Sequence, residues 1–294
     1  MRPQIPGTFA ALDADGVADA VRNCIPLIAT QLRSDVRAAM ESALEREGCE
    51  RARSILEMIV RNDDIARDDA VPICQDTGTV WVYLEVGEEE TVPGNIFSKV
   101  DAAVADAYRS AKLRMSVLED AYSSRANTGD NTPAFTQLAF RPGSGATLHV
   151  MLKGGGSDNA SRVVMLPPGA GCGGIRSEVL ECVREKGSAA CPPLVIGIGI
   201  GSTFDKVGGL AKKALLRPVG EPNPDPAAAE FERELLEAVN ATGVGPAGLG
   251  GDTTALAVNV DTASCHIAAL PLAINMGCCA MRSASMELQT GGSI

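Results

Sequence analysis

Pro72-Ile73-Cys74-Gln75-Asp76-Thr77-Gly78 sets a thiol, an amide and a carboxylate side by side, ahead of a Thr-Gly turn and the strand-forming run Val80 to Val86. Polar chemistry is thereby held at the edge of a strand. Two other cysteines stand in the same kind of place. Cys191 precedes Pro192-Pro193 and the run Leu194 to Ile200, and Cys278 lies in Asn275-Met276-Gly277-Cys278-Cys279-Ala280-Met281-Arg282 after a further apolar run.

Helical and strand-like periods alternate around these loops, which predicts a mixed α/β fold: a helical N-terminal layer packed with mixed β-sheets, its functional loops at strand ends. From Asp15 to about Asp63, Val17, Ala20, Val21, Cys24, Leu27 and Ile28 recur at helical spacing, as do Ala43, Leu44, Ala52, Ile55, Leu56 and Ile59. Cys24 and Cys49 fall in those patterns and read as thiols packed in or beside a core. Ile96 to Leu113 reads as a helix closed by Arg114, a cation suited to a helix C-terminus. The turn-rich Arg125 to Pro133 segment leads to strands over Phe135 to Phe140 and Thr147 to Leu152. Lys153-Gly154-Gly155-Gly156-Ser157 then offers either an anion nest or a flexible connector. Further helices are expected over Ile175 to Lys186, Lys206 to Leu215 and Ala227 to Asn240, with a strand over Ala255 to Val260. Gly197-Ile198-Gly199-Ile200-Gly201 lacks both the dinucleotide and the P-loop spacing and reads as a buried glycine-rich strand. His149 sits within a strand pattern and reads as structural.

Composition narrows the function. The 294 residues are 45% hydrophobic, so the chain can bury a sizeable core as one large or two ordinary domains; we take residues 1–294 as one domain with its helical part at about 1–65. No apolar run is long enough to span a bilayer and Met1 to Gly7 has no secretory hydrophobic segment, which predicts a cytoplasmic protein with no membrane partner. Nine cysteines in so long a chain are too dilute for a disulfide scaffold and read as reduced thiols. A formal net charge of -11 argues against a nucleic-acid partner.

Taken together, the Cys74 to Gly78 loop, Asn127-Thr128-Gly129-Asp130-Asn131-Thr132-Pro133, Lys153 to Ser157 and Gly197 to Gly201 resemble the alpha subunit, or N-terminal catalytic region, of class I iron-sulfur fumarases and tartrate dehydratases. Gly250-Gly251-Asp252-Thr253-Thr254 and the His266 to Arg282 block carry the resemblance to the end of the chain. It implies a 4Fe-4S cluster held by Cys74, Cys191 and Cys278, with Cys279 beside the last and the register of Arg282 favouring Cys278. Three protein ligands leave one iron open to act as a Lewis acid on a hydroxyl. By the same resemblance Asp76 and His266 handle the proton, while Gln75, Arg114 and Gly155 bind the substrate. A guanidinium fork suits a carboxylate, which answers the acidic net charge locally.

The implied reaction is reversible hydration of a C4 dicarboxylate, fumarate to malate first, with L-tartrate or a methyl-C4 dicarboxylate as the alternative. Asp158, Ser202 and Arg282-Ser283 depart from the usual residues of the family and bear on substrate choice. The chain stops at Ile294, soon after Arg282, so the resemblance implies a separate beta subunit and an alpha-alpha dimer in a two-plus-two assembly. The rival is a non-enzymatic iron-sulfur or zinc protein with a redox or structural role. Against it, tight C-x-x-C pairs are absent and electron-transfer clusters take four cysteines.

Overall fold

The computed structural model describes residues 10–290, which divide into two compact units. The first comprises the described residues of Met1–Arg33, Asp63–Gly154 and Arg282–Ile294; the second comprises Ser34–Asn62 and Gly155–Met281. Elements are numbered along the chain.

The first unit is built on a four-stranded sheet in the order β2-β1-β3-β8, from β1 (Thr79–Gly87), β2 (Phe135–Arg141), β3 (Ala146–Lys153) and β8 (Ser283–Leu288). β1 pairs in parallel with β2 and antiparallel with β3, so the two strands joined by Pro142 to Gly145 flank β1 rather than each other. One face of the sheet carries Val80, Val82, Leu84, Leu148 and Val150 into a core completed by α1 (Ala14–Thr30) and α4 (Val100–Ser110). α1 starts at Asp13, whose carboxylate accepts the Gly16 N–H at 2.8 Å. Its Val17, Val21, Ile25 and Ile28 recur at helical spacing and are buried, which is how a helix of this sequence finds the sheet. Cys24 lies in the same stripe, and burial pushes its thiol up to about 12, so it is inert packing. Trp81 and Tyr83 occupy the opposite face of β1 and stack at 5.2 Å, with Tyr83 stacked in turn on His149.

In the second unit the sheet order is β4-β7-β5-β6, from β4 (Arg162–Leu166), β5 (Leu194–Ser202), β6 (Ala255–Cys265) and β7 (Leu270–Gly277). β5 runs parallel to β6 and antiparallel to β7. α6 (Gly171–Lys186) and α8 (Pro226–Asn240) cover one face, meeting Ile196 and Ile198 of β5 through Val179, Val183, Leu235 and Val239. The glycines of β5 point the other way and receive α7 (Val207–Ala214). A Cβ on Gly199 would lie 2.6 Å from the Val207 carbonyl and 2.7 Å from the Ala211 nitrogen, and one on Gly197 would strike the Ala211 carbonyl. The Gly-Ile-Gly-Ile-Gly run is thus one face for a core and one face for a helix backbone.

The N-terminal helices divide between the units. α2 (Ser34–Arg46) belongs to the second, and α3 (Glu50–Asp68) crosses the division. α4 is shorter than its sequence pattern, because Pro93 to Lys99 forms turns rather than helix, and it ends four residues before Arg114. Arg114 therefore does not serve as a helix-terminal cation. Among the described residues no helix is long and apolar enough to cross a membrane.

Replacing Gly199 by Ala should cost about 1–3 kcal/mol of unfolding free energy, since α7 must move off β5 to admit the methyl. Urea unfolding of the variant checks this; a midpoint equal to that of the parent would show that α7 does not ride on this glycine.

Candidate active site

The Cys74 loop belongs to the first unit and is held by its main chain. Three successive carbonyl oxygens each accept a hydrogen bond from a buried side chain. Arg282 Nη1 donates to Asp76 O at 2.6 Å, and the Tyr108 hydroxyl lies 2.9 Å from both Thr77 O and Gly78 O. Asn131 Nδ2 donates to Gly78 O at 3.1 Å. At the loop's start, Ile73 N donates to the Ala29 carbonyl of α1 at 2.9 Å. Asn131 is wholly buried, and its Oδ1 also accepts the Ser116 N–H at 2.7 Å. The turn-rich Asn127 to Pro133 motif therefore works as a bracket for this loop rather than as a solvated turn.

Side-chain chemistry projects from that fixed backbone. Asp76 is half-buried, and its Oδ1 accepts the Gly78 N–H at 3.0 Å. Its Oδ2 faces Gly154, where a Cβ would lie 3.1 Å away. Gln75 is exposed and Cys74 half-buried. Thr77 Oγ1 donates to the Arg114 carbonyl at 2.7 Å, which ties the backbone of Arg114 one residue from Asp76 and leaves its side chain exposed. The first unit therefore gathers Cys74, Gln75, Asp76 and the Arg114 backbone.

The second unit gathers the other two cysteines. Cys191 ends a short 3-10 turn, Gly187–Ala190, in the left-handed backbone region (φ 56°), and is exposed. That conformation is costly for a residue with a Cβ and tends to persist at working sites. Its carbonyl accepts the Cys279 N–H at 2.9 Å, which fastens the turn before β5 to the loop after β7. Cys278 is half-buried there. Cys279 packs against Met40, Ala43 and Leu56, so its side chain is engaged in an apolar cluster. Gly155 opens the short helix α5 (Gly155–Asn159) and is exposed, and the Cα of its neighbour Gly156 faces the Ala189 carbonyl, two residues from Cys191. Cys182, by contrast, is buried, and desolvation pushes its thiol up to about 11.

His266 stands apart from these residues. It lies in the exposed turn between β6 and β7, beside the 93% exposed Ile267, with Nδ1 accepting the Ala268 N–H at 3.1 Å. β7 is 8 residues long and separates His266 from Cys278, a span of roughly 25 Å at strand rise. The Gly250 to Thr254 motif has a local structural role as well. Its Asp252 and Thr253 N–H groups donate to the buried Glu47 carboxylate at 3.0–3.1 Å, which pins the α2–α3 corner. Arg282, Tyr108 and Asn131 are contributors that local sequence patterns do not expose, because each acts on a main-chain oxygen remote in sequence.

Residues 18–287 match the family described as Fumarate hydratase (Fumerase). The chain is 38% identical over 279 residues to the putative L(+)-tartrate dehydratase subunit alpha of Methanocaldococcus jannaschii, covering 93% of this chain and 98% of that one. It is 31% identical over 274 residues to the L(+)-tartrate dehydratase subunit alpha of Escherichia coli strain UTI89, and 30% over 272 residues to that of strain K12, with 92% of this chain and 90% of the relative covered in each case. A match across nearly the whole chain leads to one conclusion: the chain belongs to the fumarate hydratase (Fumerase) family and is a hydro-lyase.

Proposed function

We propose that this chain is the alpha subunit of a two-subunit hydro-lyase that acts on a C4 dicarboxylate, with L(+)-tartrate ahead of fumarate as the substrate. The sequence alone put fumarate first. The similar proteins named as L(+)-tartrate dehydratase alpha subunits reverse that order. The observation that carries the reading is the 2.9 Å bond from Cys279 N to Cys191 O, which sets two accessible thiols from distant parts of the sequence at adjoining strand ends.

The donor set suits a 4Fe-4S cluster. Cys74, Cys191 and Cys278 lie in strand-end loops and none is fully buried, whereas Cys24 and Cys182 are sealed in cores with raised pKa values. The packing of Cys279 against Met40 and Leu56 favours Cys278 as the third ligand. When bound, such a cluster supplies an open iron that acts as a Lewis acid on the hydroxyl being lost or gained.

The chain's own residues bind substrate and carry the proton. The exposed Arg114 guanidinium, its backbone tied to Thr77, pairs with one substrate carboxylate. Gln75 and the N–H groups at Gly155 orient the remaining oxygens. Asp76, whose Oδ1 accepts the Gly78 N–H, exchanges a proton with the departing or entering oxygen. His266 assists from a second copy of the chain, since within one chain β7 holds it far from Cys278. Dehydration of a vicinal diol such as tartrate leaves an enol that becomes a 2-keto acid, which gives a direct assay.

The chain reconstituted anaerobically with iron and sulfide should release a 2-keto acid from L(+)-tartrate only when the product of the adjacent gene is added. Full turnover by the isolated chain would overturn the two-subunit reading, and turnover of fumarate alone would restore the first substrate order. For His266, an Asp76→Asn chain mixed with a His266→Asn chain should recover about a quarter of parental activity, because half of randomly paired dimers hold one intact site. A mixture as inactive as its components would place His266 and Asp76 of one chain in the same site, and parental activity of the His266→Asn chain by itself would place His266 outside it.

A further inference from the structure

Arg282 is the most deeply buried charged side chain beside the Cys74 loop, 2% exposed. A cation removed from water to this degree carries a desolvation cost, and retained buried polar groups call for a specific role. Its Nη1 donates to the Asp76 carbonyl at 2.6 Å, a charge-assisted bond. Its Nη2 and Asp76 Oδ2 both crowd Gly154, where a Cβ would lie 3.5 Å from the nitrogen and 3.1 Å from the oxygen. The Arg282 carbonyl meanwhile accepts the Leu152 N–H at 2.9 Å, which joins the start of β8 to the end of β3. Its Nε has no hydrogen-bond partner among the described residues. Burial pushes the Tyr108 hydroxyl well above its ordinary value, and the Arg282 cation and Asp76 carboxylate act on that hydroxyl in opposite directions. All three groups share one small region.

From this geometry we infer that Arg282 is the positioning residue of Asp76: its guanidinium locks the Asp76 main chain and, with Gly154, fixes where the carboxylate points. The inference rests on the role given to Asp76 in the proposed function. A generic packing residue would need neither a charge nor a planar fork. Arg282 supplies both, with Nη1 on the Asp76 carbonyl and Nη2 beside the same Gly154 that the Asp76 carboxylate faces. Tyr108 and Asn131 hold the next two carbonyls and fix the loop's course, whereas Arg282 holds the carbonyl of the residue that carries the proton. Gly154 completes the arrangement, because a Cβ there would press on the Asp76 carboxylate at 3.1 Å while touching the Arg282 guanidinium.

The test is a double-mutant cycle in the reconstituted two-subunit enzyme, with a measurement on the apo chain beside it. Arg282→Met should lower kcat about 30-fold with KM changed less than about 3-fold, while iron and sulfide content stay at the parental level. In an Asp76→Asn background the same change should lower kcat less than about 3-fold, since a positioning residue has nothing left to position. In the apo chain, Arg282→Met should speed hydrogen exchange at the Gly78 amide about 10-fold and leave the Val82 and Leu148 amides unchanged. If Arg282→Met does not fold, Arg282→Lys, which keeps the charge and loses the fork, carries the same readings with smaller changes. Equal losses of kcat in both backgrounds, or unchanged Gly78 exchange, would overturn the positioning role. Near-parental turnover of Asp76→Asn by itself would instead remove Asp76 from the chemistry; the exchange result then decides whether Arg282 still holds the loop.

Discussion

Three carbonyl oxygens in a row, those of Asp76, Thr77 and Gly78, accept hydrogen bonds from Arg282, Tyr108 and Asn131, all buried. A loop at a strand end would ordinarily leave such groups to water and move with it. Here the backbone is fixed by side chains drawn from α4, from the loop before β2 and from the start of β8. Catalytic geometry is lost when a reacting group strays by about an ångström, so a loop carrying a thiol, an amide and a carboxylate needs this kind of external bracing. The helices and sheet of the first unit serve to bring those three braces to one point.

A different device works in the second unit. Cys191 sits in a left-handed backbone conformation, and its carbonyl is captured by the Cys279 N–H, so the turns leading into β5 and out of β7 are joined at one sheet end. β5 can be central because its isoleucines face α6 and α8 while its glycines let α7 approach from behind. Cys24 and Cys182 lie within cores, whereas Cys74, Cys191 and Cys278 stand in loops at strand ends.

Much of this was legible in the sequence where periodicity is strong. The runs at β1 and β5 and the helical patterns of α1, α6 and α8 were read close to their observed bounds, since burial on one face leaves a plain signal. β4 and β8 were missed. β4, Arg-Val-Val-Met-Leu, is apolar but only 5 residues long, too short for a period to show, and β8 carries Ser and Glu among its few apolar residues. The placement of β2 and β3 on either side of β1 depends on pairing between distant segments, which no local pattern encodes. Motifs single out Cys74, Asp76, Cys191 and Cys278 as candidates, but residues of such motifs also serve as structural support. Asn131 braces a backbone, and Asp252 and Thr253 bind Glu47. Arg282 was visible only as a register mark, because its partner is a main-chain oxygen far away in sequence.

The most direct measurement is Mössbauer spectroscopy of the 57Fe-reconstituted alpha subunit with its partner subunit, recorded before and after adding L(+)-tartrate. One iron site should change its parameters on addition while the thiolate-bound sites stay as they were, since in the proposed cluster a single iron lacks a protein ligand. A cluster whose irons all ignore the substrate, or a protein that takes up no cluster, would contradict a hydro-lyase centre built on Cys74, Cys191 and Cys278.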